Sequence, residues 1–162
     1  MVVRSDVAVY NDLPEYDLFG ITDCIEFIHD KNGVEISGLD GKYRVKIVEY
    51  KPKAPKETQF NETDAIQVFA QKICADHIWN CNCEAFIYYS DTRKRVRLPF
   101  DSEYEKYDEM LKKLLCLKNM ILEKNYLLLK KIKLRNGLNS YLHFYIEDKQ
   151  HTKYMYVLKV VY

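Results

Sequence analysis

The sequence predicts an α/β (α+β) domain, a mixed β-sheet flanked by helices. Three observations predict it. A β-branched and aromatic stretch, LFGITDCIEFI at residues 18–28, is followed after turn signals by an alternating one, YRVKIVEYK at residues 43–51. Residues 62–78 then carry apolar side chains at three- and four-residue steps, the period of an amphipathic helix. Shorter strand-like stretches and a second helical stretch follow, so that strands and helices mix along one chain.

In chain order, residues 18–28 read as a strand. Asp30-Lys31-Asn32-Gly33 reads as a hairpin turn in which Asn-Gly supplies positive φ. A short strand at residues 34–37 and a turn at Leu39-Asp40-Gly41-Lys42 come next. The strand at residues 43–51 places Val45, Ile47 and Glu49 on one face. Pro52 and Pro55 prevent its continuation. The helix at 62–78 has Asn61 or Thr63 as its N-cap and a stripe of Ile66, Phe69, Ala70, Ile73, Cys74 and His77. Residues 85–90 and 94–100 form a hairpin around Asp91-Thr92, and 102–117 a second helix. A third helix is expected at 121–133, and two strands at 141–147 and 154–161.

The 162 residues suffice for one domain with a sizeable core, and 48% of them are hydrophobic, which argues against disorder. No run of apolar residues is long enough for a membrane helix, and the charged start MVVRSDVAVY does not resemble a secretory signal, so a cytoplasmic location with no membrane partner is expected. The five cysteines, an odd number, read as free thiols, and Cys81-Asn82-Cys83 is a weak metal signal because zinc ribbons favour C-x-x-C. The net charge of +1 conceals an acidic segment, residues 1–116, and a basic one, residues 117–162. The basic end suits a polyanionic partner, or is simply a lysine-rich tail.

The chemistry gathers on three residues. Asp23 lies in an otherwise apolar strand, where a lone carboxylate is costly unless paired or metal-bound. Glu49 and Lys51 are two apart on the next long strand, so they point the same way. Carboxylates on neighbouring strands can hold Mg²⁺ or Mn²⁺, and a lysine beside them can orient a water or stabilise charge on a phosphate. The alternative is an exposed, salt-bridged strand face. Asp64, Gln67 and Gln71 form a polar stripe on the following helix that can hydrogen-bond phosphates, bases or a metal-bound water; otherwise it is a solvated face. Arg93, Lys94, Arg95 and Arg97 could contact DNA phosphates, with Lys51, Lys53 and Lys56 lining the same mouth; otherwise they guard a hairpin edge with charge. Tyr88, Tyr89 and Trp79 could stack on single-stranded bases, or pack in the core.

The ordered set Gly20-Ile-Thr-Asp23, Val48-Glu49-Tyr50-Lys51, Asp64-Ala-Ile-Gln67-Val-Phe-Ala-Gln71-Lys-Ile-Cys74, Ala85-Phe-Ile-Tyr88-Tyr89 and Arg93-Lys-Arg95-Val96 resembles the fourth CRISPR-associated (Cas) protein family. These are RecB-like exonucleases of spacer acquisition within the PD-(D/E)XK nuclease superfamily. The resemblance covers roughly residues 4–118, so the sequence divides into a nuclease-like core at 1–118 and a divergent extension of the same domain at 119–162. It implies a restriction-endonuclease-like core, Asp23 and Glu49 as metal ligands, Lys51 as the catalytic lysine and Gln67 as the glutamine of the helix motif. It also implies DNA as substrate and work on prespacer ends beside the CRISPR integrase. With such a substrate, the residues read above as able to contact it are Gln71, Lys53, Lys56, Arg93, Arg95 and Tyr89.

The sequence departs from the family in two ways. The family's metal-binding histidine precedes the aspartate strand, whereas His29, His77, His143 and His151 all follow Asp23. The family's iron–sulfur cluster uses one early and three late cysteines, whereas no cysteine precedes Cys24 or follows Cys116, so no cluster is expected. These departures define the alternative, a catalytically impaired relative that binds DNA or the integrase without cutting. They also suggest a gene shortened at its start and shifted in frame near its end, or else a compact variant with C-terminal strands of its own. An unrelated α/β binding domain is the remaining reading.

Overall fold

The computed structural model describes residues 1–124, 140–147 and 153–160, with side chains described as far as Lys118. Its main sheet has five strands in the order β1-β2-β3-β4-β5: β1 (Val2–Asn11), β2 (Leu18–Glu35), β3 (Lys42–Lys51), β4 (Glu84–Tyr89) and β5 (Lys94–Arg97). β1, β2 and β3 form an antiparallel meander. β3 and β4 are parallel, as a helical crossover requires, and β5 returns antiparallel. The crossover is α1 (Glu62–Trp79), and α2 (Tyr104–Lys124) follows β5. The mixed sheet flanked by helices agrees with the fold class expected from sequence. Among the described residues no helix is long and apolar enough to cross a membrane.

The core lies between α1 and one face of the sheet. Alternation along β3 and β4 sends Tyr43, Val45, Ile47, Ala85, Ile87 and Tyr89 inward. These meet Ala65, Ile66, Phe69 and Ile73 of α1. α2 packs against α1 and buries Tyr107, Leu111 and Leu115 at four-residue steps. Its Tyr107 completes an aromatic group with Phe69 and Phe100, whose ring centroids lie 5.1 Å apart. Of the stripe expected on α1, Ile66, Phe69, Ile73 and Cys74 are buried, whereas Ala70 and His77 are half-buried. Asn61 is the N-cap residue, although its side chain makes no capping hydrogen bond.

Three local expectations are corrected. The strand β1 was not foreseen, because only Val9 and Asn11 in it are buried and its outward residues show no clean alternation. The expected hairpin at residues 30–33 is an excursion inside one long strand. His29 and Val34 both lie opposite Tyr43, and the Asn32 amide donates to Asp30 Oδ1 at 2.9 Å. Gly33 is required there by proximity, since a Cβ would stand 2.2 Å from the Tyr43 carbonyl oxygen. The reversal into β3 comes later, through Gly38 at φ 78° and Gly41 at φ 96°. The third correction concerns β5, which ends at Arg97; Leu98 and Phe100 enter the core from the connection to α2.

Beyond α2, β6 (Ser140–Glu147) and β7 (Lys153–Val160) pair antiparallel as a separate two-stranded sheet. The third helix expected at residues 121–133 lies, from residue 125 onward, outside the described residues; its first four residues continue α2. Residue 161, expected to end the last strand, also lies outside them.

A polar knot fixes the far end of α1. The Lys72 side chain, 1% exposed, bonds Asp76 and donates to Asn82 Oδ1 at 2.7 Å. Asp76 in turn accepts from the Cys83 amide at 2.7 Å. A buried charge is tolerated only when its donors and acceptors are matched, as they are here. The knot ties the last turns of α1 to the entry of β4.

Candidate active site

β3 carries its apolar inward face as far as Ile47 and then continues the same face with Glu49 and Lys51. The switch from aliphatic to charged side chains occurs while α1 still covers the strand. Glu49 is therefore only 4% exposed. A carboxylate so placed needs donors, and α1 provides them from two successive turns. Gln67 Nε2 donates to Glu49 Oε1 at 2.8 Å, and Gln71 Nε2 donates to Oε2 at 3.1 Å. The four-residue spacing of the glutamines lets one helix face reach both oxygens.

Lys51 completes the network. Its ammonium lies 3.0 Å from Glu49 Oε1, donates to Gln67 Oε1 at 3.0 Å, and stands 3.6 Å from Asp64 Oδ1. Burial raises the proton affinity of Glu49 above that of an ordinary glutamate; Lys51 opposes the shift and Asp23 adds to it. For Lys51, burial pulls the other way, but Glu49 and Asp64 outweigh it and hold the ammonium above the usual lysine value. Asp23 sits on β2 just beyond the last paired residues, Cys24 and Val48. Its Oδ2 accepts the Tyr50 amide at 2.8 Å, so it caps β3 at the level of Glu49 and Lys51.

The donor set fits a hard divalent cation held by few protein ligands. Mg²⁺ commonly uses one or two carboxylates and keeps several waters. Of the three carboxylates whose field acts on Lys51, namely Glu49, Asp64 and Asp23, Asp23 and Glu49 are the pair that could hold such an ion. Among the described residues no three His, Cys, Asp or Glu side chains converge closely enough to hold an ion unaided. One further oxygen is at hand: Gln71 Oε1 is buried without a hydrogen-bond partner, while its Nε2 is committed to Ile21 O and Glu49. The cysteines offer no comparable site. All five are free, and burial pushes the Cys74 and Cys81 thiols up to about 12.

The remaining expected residues fall in three places. Lys53, Lys56 and Arg93 are exposed on the loops after β3 and β4, beside Lys51. Those loops are clasped together. Asp91 accepts the Ala54 amide at 3.1 Å through both oxygens, and the Ser90 amide donates to Lys51 O at 2.9 Å. Arg95 lies on the opposite face of the sheet, where it pairs bidentately with Glu26 at 2.8 Å and covers the Phe86 ring at 4.1 Å. It does not line the mouth with Lys51, because β5 alternates it outward with Phe86 and Tyr88. Tyr89 is 1% exposed and offers no ring face to a base. Gln71, expected as a DNA contact, is buried and holds Glu49 instead.

Sequence reasoning placed Asp64 only on a polar stripe. Its approach to Lys51 was legible in principle, since it lies one turn before Gln67. The clasp residue Asp91 carried no signal beyond turn propensity, and its reach to Ala54 crosses 37 positions. Compared with protein-family models and with curated proteins, the chain matches none.

Proposed function

We propose that the chain is a metal-dependent DNA exonuclease of the two-carboxylate-and-lysine type, with the restriction-endonuclease-like arrangement, that processes prespacer ends in CRISPR adaptation beside the integrase. The observation that carries this reading is the Glu49–Lys51–Gln67 network at the carboxyl end of β3, with Asp23 on the neighbouring strand. An acid and a lysine sharing one glutamine is an arrangement suited to phosphodiester hydrolysis. Asp23 and Glu49 would hold Mg²⁺ or Mn²⁺, which supplies Lewis-acid polarisation of a phosphoryl oxygen. Lys51 then donates to the attacking water or to the developing phosphate charge. Gln67 fixes the ammonium, and Gln71 fixes the rotamer of Glu49. The exposed cations Lys53, Lys56 and Arg93 support phosphate contacts at the same mouth.

The test is incubation of single- and double-stranded DNA with the protein and Mn²⁺ or Mg²⁺, beside Lys51→Ala. Cleavage that falls by roughly 10²-fold or more in the variant supports the reading. A second reading, a relative that binds DNA without cutting, is favoured by one observation: both Glu49 oxygens are already occupied by three donors. Retained DNA binding with no cleavage by the parent protein would select it.

A further inference from the structure

The strand that presents Glu49 and Lys51 to α1 presents Tyr50 to the other side of the sheet. Tyr50 is 51% exposed. It lies opposite Tyr88 in the parallel β3–β4 ladder, and the two rings meet edge to face with centroids 5.6 Å apart. Tyr88 lies opposite Arg95 on β5. A row of two aromatic rings and a guanidinium thus crosses three strands at their site-facing end. The only helix packed on β3 and β4 is α1, which lies on the other face, so among the described elements nothing covers the row. Tyr88 is half-buried beside Tyr50, and an exposed ring backed by a second ring on an open sheet face is costly in water and suits a planar, polarisable partner.

The surrounding charge selects that partner. Lys53, Lys56, Arg93 and Lys94 are exposed at the same end of the sheet and form no ion pair among the described residues. The Asp91 clasp holds together the two loops that carry Lys53, Lys56 and Arg93, and Lys94 opens β5 directly after the second loop. By contrast, the cations farther along the outer face are neutralised: Lys46 by Glu84, Arg97 by Glu84 and Asp101, and Arg44 by Asp30. Unpaired positive charge is thereby concentrated around the tyrosines and the mouth of the site. Exposed cations beside an exposed tyrosine and its half-buried neighbour match a nucleic-acid strand whose bases are unpaired, since paired bases hide their faces within the stack.

We propose that Tyr50 and Tyr88 form a stacking platform for a single-stranded nucleic acid whose backbone is held by Lys53, Lys56, Arg93 and Lys94. The proposal rests on the nuclease reading for its placement and names the substrate form: an unpaired strand crossing the end of the sheet toward Glu49 and Lys51. Duplex ends enter only once their terminal bases are frayed.

The test measures fluorescence anisotropy of a labelled, unstructured single-stranded oligonucleotide and of the matching duplex, in EDTA so that nothing is cut. The parent protein is expected to bind the single strand more tightly. Tyr50→Ala with Tyr88→Ala is expected to weaken single-strand binding by about tenfold or more and duplex binding by less than about twofold. Tyr50→Phe with Tyr88→Phe keeps the rings and is expected to retain binding, which also controls for folding. Lys53→Ala and Lys94→Ala are each expected to reduce the salt slope by about 0.7, and the tyrosine variants to leave it unchanged. Equal loss for both DNA forms, no loss, or loss in the phenylalanine variant overturns the platform. Cleavage assays separate this from the nuclease reading. Ring-dependent single-strand binding without Lys51-dependent cleavage supports the platform and sinks the nuclease, and Lys51-dependent cleavage with ring-independent binding does the reverse.

Discussion

Lys51→Ala isolates the charge balance of the site. The variant removes an ammonium that lies 3.0 Å from a carboxylate only 4% exposed. Gln67 and Gln71 remain as donors, so Glu49 keeps two hydrogen bonds but loses its counter-charge. Breaking a buried pair costs about 3–5 kcal/mol, and breaking an exposed one about 0–1 kcal/mol. The Lys51 side chain is 20% exposed, so water screens part of the loss and about 2–3 kcal/mol is expected at neutral pH. For a chain of this size that is roughly 4–12 °C in Tm. The pH dependence follows from the direction of the Glu49 shift, which burial drives upward. A carboxyl whose folded pKa is raised contributes stability below its unfolded value and loses it as pH rises through the folded value. Losing Lys51 raises that folded value further. The variant is therefore most destabilised at neutral pH, and its difference from the parent narrows as pH falls and Glu49 takes up its proton. Urea denaturation near neutrality and in mild acid measures this. A cation at ten times its dissociation constant adds about 1.4 kcal/mol, and Mn²⁺ is expected to stabilise the alanine variant more than the parent. Equal loss at both pH values, or greater Mn²⁺ stabilisation of the parent, refutes the role of Lys51 as internal counter-ion.

Asp23→Asn and Gln67→Ala are each expected to lower metal-dependent cleavage by roughly 10²-fold, with circular dichroism unchanged, because each removes a site contact without touching the core. Lys72→Ala strips the buried partner of Asp76 and Asn82, and thermal melting should show a loss of about 3–5 kcal/mol. Gly33→Ala forces a methyl against the Tyr43 backbone and is expected to cost about 1–3 kcal/mol in urea denaturation. Arg95→Ala should destabilise by about 1 kcal/mol through Glu26 and Phe86, yet leave the salt slope of DNA binding unchanged. A reduced slope would place Arg95 on the phosphates after all.

The site was legible where it depends on strand period and helix spacing. Glu49 and Lys51 share a face because they are two apart, and Gln67 and Gln71 share one because they are four apart. Which partner each residue would find was not legible. Gln71 could equally have met solvent; it is buried because α1 packs against β2, whose Ile21 carbonyl accepts its amide. Arg95 and Tyr89 were misplaced for a similar reason. Whether a β4 or β5 residue faces α1 depends on register across the sheet, which local sequence does not carry. The Asn-Gly signal at residues 32–33 was overridden because the chain on both sides pairs with the same strand.

The knot of Lys72, Asp76, Asn82 and Cys83 has a consequence for the whole helix. α1 behaves as a bolt: its axial position is set at the Lys72 end and read out at Gln67 and Gln71. A helix advances about 1.5 Å per residue, so even a fraction of one step would pull both glutamines away from the Glu49 oxygens. Asn82 touches neither Glu49 nor Lys51, yet a change there would loosen the seating of the bolt. Damage to the candidate site can in this way originate at the entrance of β4, from a residue that no inspection of Asp23, Glu49 and Lys51 would single out.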